Sequence, residues 1–326
     1  MRILIFGAGV IGTAYAWQLS NAGHEVKLFV RKTNLEKIAK EGIHIRCRDE
    51  RQKKSEPFEV TYHPAVVDEL HAQDNYELII ASVRAHQLEG VLPVLAEGSG
   101  KKDILFFGNN WWGEEKIRKF LPAENYLFGF SRLVGGWRTE NQVECIFFDN
   151  PELVTMLGER DGQVTPRLQN LRDVLEKANL KPIISQDILG WLMIHYVEFL
   201  GVIGGILKAG SFETFVGNSE LIKESILATR ESFDICKARG IDFKKAAPAN
   251  IRIIYNTPVS LLTPLVKMQY KTPSIQQFFE ENIEHGMDEI SHQYCDVVAE
   301  GERLGVKMPD LKGYKNYFLT HSENSL

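Results

Sequence analysis

The chain reads as an N-terminal α/β domain of the doubly wound, Rossmann type followed by an all-helical C-terminal domain. Three observations predict this. The apolar run Ile3-Leu4-Ile5-Phe6 leads straight into Gly7-Ala8-Gly9-Val10-Ile11-Gly12. Short apolar runs then alternate with amphipathic stretches up to about residue 185, as they do where helices cover both faces of a mostly parallel sheet. Beyond Asp187 helical periods dominate and strand patterns nearly vanish. The domains expected are therefore residues 1–185 and residues 186–326.

The opening predicts its own chemistry. A strand feeding a G-x-G-x-x-G turn that starts a helix is a dinucleotide-binding pattern. Gly7 permits the tight turn, Gly9 lets backbone come close to a pyrophosphate, and Gly12 lets the helix pack on the strand. The N–H groups at the helix start, from Val10 and Ile11, face the phosphates. Residues 10–22 read as that helix, with Ile11, Ala14, Tyr15 and Leu19 on one face. Gly23 ends it, and residues 25–30 read as the second strand. Further strands are expected at 78–83, 104–107, 127–130, 143–148, 154–157 and 182–184. Residues 165–178 predict an amphipathic helix through Leu168, Leu171, Val174 and Leu175. The mixed-charge run 46–54 (RCRDERQKK) reads as a solvated loop or edge. The later helices are expected at 188–208, 219–239, near 244–255 and at 275–303, before a short tail.

The residues just past the second strand select the cofactor. A carboxylate there would hold the ribose 2′-hydroxyl of NAD. The chain instead has Arg31-Lys32-Thr33-Asn34, with no acid before Glu36. Two cations suit a 2′-phosphate, and Arg can grip phosphate in a bidentate way. The expected cofactor is NADP(H).

Composition sets limits. With 326 residues, 44% hydrophobic and 25% charged, the chain can bury two full cores. A net charge of −5 without a long basic stripe argues against nucleic acid as a partner. Cys47, Cys145, Cys236 and Cys295 have no C-x-x-C spacing, so no metal site and no disulfide frame is expected, and the location expected is cytoplasmic. Met1-Arg2, the apolar run and Ala14-Tyr15-Ala16 superficially resemble a signal peptide, but the glycine spacing makes them the first βα unit. Residues 188–207 are apolar enough to span a bilayer. His195 and Glu198 near the centre of that run favour a buried helix, because charge is expensive in lipid.

Several short motifs, in order, resemble the ketopantoate reductases (2-dehydropantoate 2-reductases). They are the glycine turn with the strand ending in Arg31, Val83-Arg84-Ala85-His86-Gln87, Gly108-Asn109-Asn110 before Gly113-Glu114-Glu115, the run 157–162 (LGERDG), and Asp187-Ile188-x-x-Trp191. The resemblance covers nearly the whole chain. It implies hydride transfer from NADPH to a 2-keto acid, which would place the protein in pantothenate synthesis, with a small keto acid or ketone as partner; a homodimer is compatible with it. It assigns cofactor contacts to Gly7, Gly9, Val10, Ile11, Gly12, Arg31, Lys32, Arg84 and Asn109. Asn109 and Glu289 carry over as residues of the catalytic site, Glu289 through the substrate hydroxyl.

The family's proton-donating Lys stands two residues after the helix Trp, with Asn residues four and eight beyond it. Here those places hold Met193, Val197 and Gly201, so the resemblance implies a divergent member without the usual Lys. His195, four residues after Trp191, matches some divergent members and could donate a proton. A structural His is the other reading. Glu198 stands at i+3 from it, where the two can meet. Trp111 and Trp112 suggest either a bulky, apolar substrate end or ordinary core packing. Two functions therefore stand open: an NADP-dependent reductase of a ketone or 2-keto acid, or a catalytically impaired NADP(H)-binding sensor.

Overall fold

The computed structural model describes residues 1–52, 56–139 and 142–323, and they form two compact units, Met1–Leu189 and Gly190–Leu326. The first unit runs β1 (Arg2–Phe6), α1 (Val10–Asn21), β2 (Glu25–Phe29), α2 (Lys32–Glu41), β3 (Ile43–Asp49), β4 (Phe58–Tyr62), β5 (Ala65–Val67) and β6 (Leu78–Ala81). It continues through α3 (Leu88–Gly98), β7 (Asp103–Phe107), β8 (Tyr126–Ser131), β9 (Val134–Arg138), β10 (Gln142–Phe147), β11 (Thr155–Gly158), α4 (Pro166–Lys177) and β12 (Pro182–Ile184).

The main sheet has eight strands in the order β12-β11-β8-β7-β6-β1-β2-β5. From β5 to β8 every pairing is parallel, and β11 then joins β8 antiparallel. The central strand explains the pattern: Ile3, Leu4 and Ile5 are fully buried, as a parallel strand covered on both faces must be. β2 lies on one side of β1 and β6 on the other, so the strand order reverses at β1. Ligands of open α/β sheets bind outside the carboxyl ends of the strands at such a point.

A second sheet, β4-β3-β10-β9, differs from the expectation in two ways. The strand expected at 143–148 belongs to it and not to the main sheet. The run 46–54 is no solvated loop over its first part: β3 carries it to Asp49, between β4 and β10. Ile43, Ile45, Cys47 and Asp49 face inward while His44 and Arg46 face out, so the strand's period of two is hidden by cations on its outer face. Lys53 and Lys54 lie outside the described residues. β9 and β10 contact α1, which also packs on β1 and β2.

The second unit takes up α5 (Ile188–Val197), which starts two residues ahead of it, then α6 (Leu200–Ala209), α7 (Phe212–Gly217) and α8 (Ser219–Ala238). It continues through α9 (Phe243–Ala246), α10 (Ala249–Asn256), α11 (Val259–Tyr270), α12 (Pro273–Arg303), α13 (Pro309–Lys312) and α14 (Lys315–Glu323). The single helix expected over 188–208 is two helices, broken at Glu198 and Phe199. By length and composition Ile188–Ala209 could cross a membrane, yet 78% of its apolar window is buried inside the protein. α6 is packed closely enough that a Cβ on Gly201 would lie 2.4 Å from the Ser225 carbonyl and from Thr229 Oγ1.

Candidate functional site

Candidate site residues lie in both units. In the first, the expected cofactor residues gather on the carboxyl edge of adjacent parallel strands. The glycine turn follows β1, Arg31 follows β2, Arg84 follows β6 and Asn109 follows β7. Adjacency is fixed by hydrogen bonds: Gly7 N–H donates to the Phe29 carbonyl at 3.3 Å, and Ser82 N–H donates to the Phe6 carbonyl at 2.9 Å.

The three glycines do different things. Gly7 has φ +115°, and a Cβ there would lie 2.4 Å from the Ser82 carbonyl oxygen. Gly12 sits so close under the turn that a Cβ would lie 2.0 Å from the Gly7 carbonyl oxygen. Gly9 has nothing within 4 Å of its Cβ position. The turn is thus closed on its protein side and open where a pyrophosphate would sit. Gly9 caps α1 without a side-chain hydrogen bond, and no acid stands in the helix's first turn. The N–H groups there suit an anion. These residues fit a dinucleotide.

Arg31 caps α2 in extended conformation, with Lys32 as the first helical residue and no acid in the first turn. Both side chains are exposed, and neither has a hydrogen-bonding or ion-pair partner among the described residues. Two further features are structural. Asn110 is buried and donates to the Gly113 carbonyl at 2.8 Å, closing the turn after β7. Trp111 is fully buried, so core packing accounts for the first indole, while Trp112 is half-buried with the Lys116 ammonium 4.8 Å from its ring centre. In the run 157–162, the buried Glu159 carboxylate takes two bonds from Arg167, at 2.7 and 2.6 Å, and one from Thr165 at 2.6 Å. That carboxylate is occupied in holding α4.

In the second unit, His195 Nδ1 and Glu198 Oε1 are 2.5 Å apart. The Trp191 ring stacks on the imidazole at 5.1 Å and 15°, and Phe199 meets it edge-on at 6.2 Å. Glu198 is buried and His195 half-buried. Phe199 continues into Phe278 and Phe279, at 5.4 and 5.8 Å, so one side of the imidazole is an aromatic wall. The face holding Val197 and Gly201 is different. Val197 is fully buried and Gly201 packs on α8. Met193 is half-buried, and its carbonyl lies 3.7 Å from Cys236 Sγ.

Glu289, on α12, is half-buried and acts on its neighbour Tyr196. Burial, with the charges of Asp296 and Glu289, holds the Tyr196 phenol far above the usual tyrosine range. The phenol donates to Asp296 at 2.9 Å and stays protonated. Tyr196 and Asp296 went unread in the sequence because their contact spans 100 residues. Arg138 was also missed. It lies on an antiparallel strand outside the βαβ pattern, and it donates to the Ala8 carbonyl within the glycine turn.

Comparison with known proteins bears on both units. Residues 3–149 match the family model described as ketopantoate reductase PanE/ApbA. The 2-dehydropantoate 2-reductase of Aquifex aeolicus (strain VF5) is 24% identical over 315 residues, covering 95% of this chain and 93% of that one. A solved 2-dehydropantoate 2-reductase from Geobacter metallireducens GS-15 superposes with a TM-score of 0.71 at 18% identity, over 100% of both chains. A ternary structure of D-mandelate dehydrogenase with NADH and anilino(oxo)acetate superposes with a TM-score of 0.70 at 19% identity, over 99% of both. The α/β sheet domain followed by a helical region is the architecture of these structures.

Proposed function

We propose that this chain, whose residues 3–149 match the ketopantoate reductase PanE/ApbA family model, is a member of that family and an NADP(H)-dependent reductase of a 2-keto acid. The observation that carries the reading is the glycine turn of the first unit, closed at Gly7 and Gly12 and open over Gly9; the second unit by itself carries the His195–Glu198 pair. When bound, the nicotinamide would supply the hydride. Gly7, Gly9, Gly12 and the N–H groups of Val10 and Ile11 would hold the pyrophosphate. Arg31 and Lys32 would take the 2′-phosphate, with Arg84 and Asn109 on the same strand edge.

The proton is assigned to His195. Glu198 accepts from Nδ1, which fixes the ring; the doubly protonated ring would then give its Nε2 proton to the developing alkoxide and be left neutral, with Nδ1–H still held by Glu198. Glu289 is assigned to the substrate hydroxyl. Phe199 and the partly exposed Phe278 favour an apolar, aromatic substituent on the keto acid. D-Mandelate dehydrogenase, whose solved complex holds an aryl-bearing oxoacetate, is consistent with that preference.

A second reading, a dinucleotide-binding sensor, is favoured by the buried Val197 and Gly201, which put no polar side chain at those two positions. One experiment separates the two. NADPH and NADH are titrated onto the protein, and NADPH consumption is then followed with aliphatic and aryl 2-keto acids. The reductase reading expects tighter NADPH binding and turnover fastest with an aryl acid. Binding without turnover of any acid would support the sensor; no binding would overturn both.

A further inference from the structure

Arg138 ends β9, and its Nη1 donates to the Ala8 carbonyl, the second residue of the glycine turn. The same nitrogen lies 3.5 Å from Thr13 Oγ1, and that hydroxyl also donates to the Ala8 carbonyl, at 3.3 Å. A side chain from the second sheet is therefore fastened to the loop that opens α1. The guanidinium is half-buried, and among the described residues no carboxylate lies within ion-pair distance of it. Burial pushes its titration down, and no acid among the described residues opposes this. Arg51 and Arg167 in the same unit are different: each grips a buried carboxylate.

A half-buried cation without a counter-charge is unfavourable, and Arg does not escape by losing its proton. Its fork has five N–H donors. Only Nη1 is engaged, so Nε and Nη2 have no partner among the described residues. The loop to which it is tied has open space over Gly9.

We propose that Arg138 is a further dinucleotide-binding residue, which clamps the glycine turn through Ala8 and supplies the positive charge that the cofactor pyrophosphate neutralises. This rests on the dinucleotide reading above, and it divides the labour among the cations: Arg31 and Lys32 for the 2′-phosphate, Arg138 for the pyrophosphate.

The test uses Arg138→Gln, which removes charge and keeps an N–H donor, and Arg138→Lys, which keeps charge and loses the fork. Affinities are measured for NADPH, NADH, ADP and adenosine 2′-phosphate, the last carrying no pyrophosphate, alongside thermal unfolding without ligand. Arg138→Gln should weaken NADPH, NADH and ADP alike, by about ten- to a hundredfold for a lost charge-assisted bond. Adenosine 2′-phosphate should bind as before, and Arg138→Lys should fall between. Ligand-free unfolding should stay level or rise, since an uncompensated charge has gone. Wild-type affinity for all three pyrophosphates in a folded variant would overturn the assignment and leave the dinucleotide site standing. A fall in unfolding temperature with unchanged affinity would show that Arg138 only braces the turn. Should Arg138→Gln not fold, undiminished binding by Arg138→Lys at raised ionic strength would overturn the proposal. Absence of dinucleotide binding in the wild type would remove both readings together.

Discussion

His195 Nδ1, in the last turn of α5, lies 2.5 Å from Oε1 of Glu198, the first residue of the break before α6, with the Trp191 ring stacked on the imidazole. The pair is at i+3, and the helix stops at Val197, directly before the carboxylate that the histidine uses. The imidazole is thus oriented by a buried acid and walled by aromatic rings.

This arrangement sets the first expectation. His195→Gln should lower kcat by roughly 10²–10⁴-fold, the usual worth of a positioned general acid. Glu198→Gln should lower kcat by less, because the ring keeps a hydrogen-bonding neighbour. NADPH affinity should not change in either variant. Steady-state kinetics with a parallel cofactor titration checks this; equal losses in kcat and in cofactor affinity would make the pair structural.

The proposed 2′-phosphate contact at Arg31 sets the next expectation. It is exposed, and no acid stands in the first turn of α2. Arg31→Ala should weaken NADPH by about 1.5–3 kcal/mol, the range for a hydrogen bond to a charged group, while NADH barely responds. Calorimetric titration of both cofactors decides it, and equal losses would remove the 2′-phosphate assignment.

The two central glycines should fail differently. Gly9 has φ −72° and open space at its Cβ position, so Gly9→Val should fold and lose dinucleotide binding. Gly12→Ala would put a methyl 2.0 Å from the Gly7 carbonyl oxygen and should destabilise the first unit by about 1–3 kcal/mol or more. Denaturant midpoints and cofactor binding, measured on both variants, separate the effects. Retained tight binding by folded Gly9→Val would refute the site.

Asp49 predicts an acid response. Burial pushes its carboxyl up, but the Arg51 guanidinium at 2.8 Å, with Gln52, more than cancels this and holds it below the usual range. A depressed folded-state pKa contributes stability that is complete above the unfolded value of about 3.9 and is lost as pH falls through the folded value. The stability gap between wild type and Asp49→Asn should therefore be constant near neutrality and shrink in acid. Urea unfolding across that range measures it, and a gap independent of pH would contradict the assignment.

The first βαβ unit was legible because its signals are local: glycine spacing, one amphipathic helix and a strand ending in cations. Much of the main sheet was legible for the same reason. The second sheet was not, since β3 hides its inward residues between cations and pairs with β10, far along the chain. The break at Glu198 was hidden by an unbroken apolar run, whose helical period continues through it. In the candidate site, the His195–Glu198 pair could be read from its i+3 spacing. The grip of Arg138 on Ala8 could not, because 130 residues separate them and only the folded sheet brings them together.

Hydride transfer to a 2-keto acid is checked by following an isotope from cofactor to product. The protein is mixed with NADPH deuterated at the transferable position and with an aryl 2-keto acid, and the product is analysed by NMR and mass spectrometry. The expected product is a 2-hydroxy acid carrying one deuterium on carbon 2, formed far more slowly by His195→Gln. Tight binding of NADPH with no deuterium reaching any keto acid, aryl or aliphatic, would contradict hydride transfer.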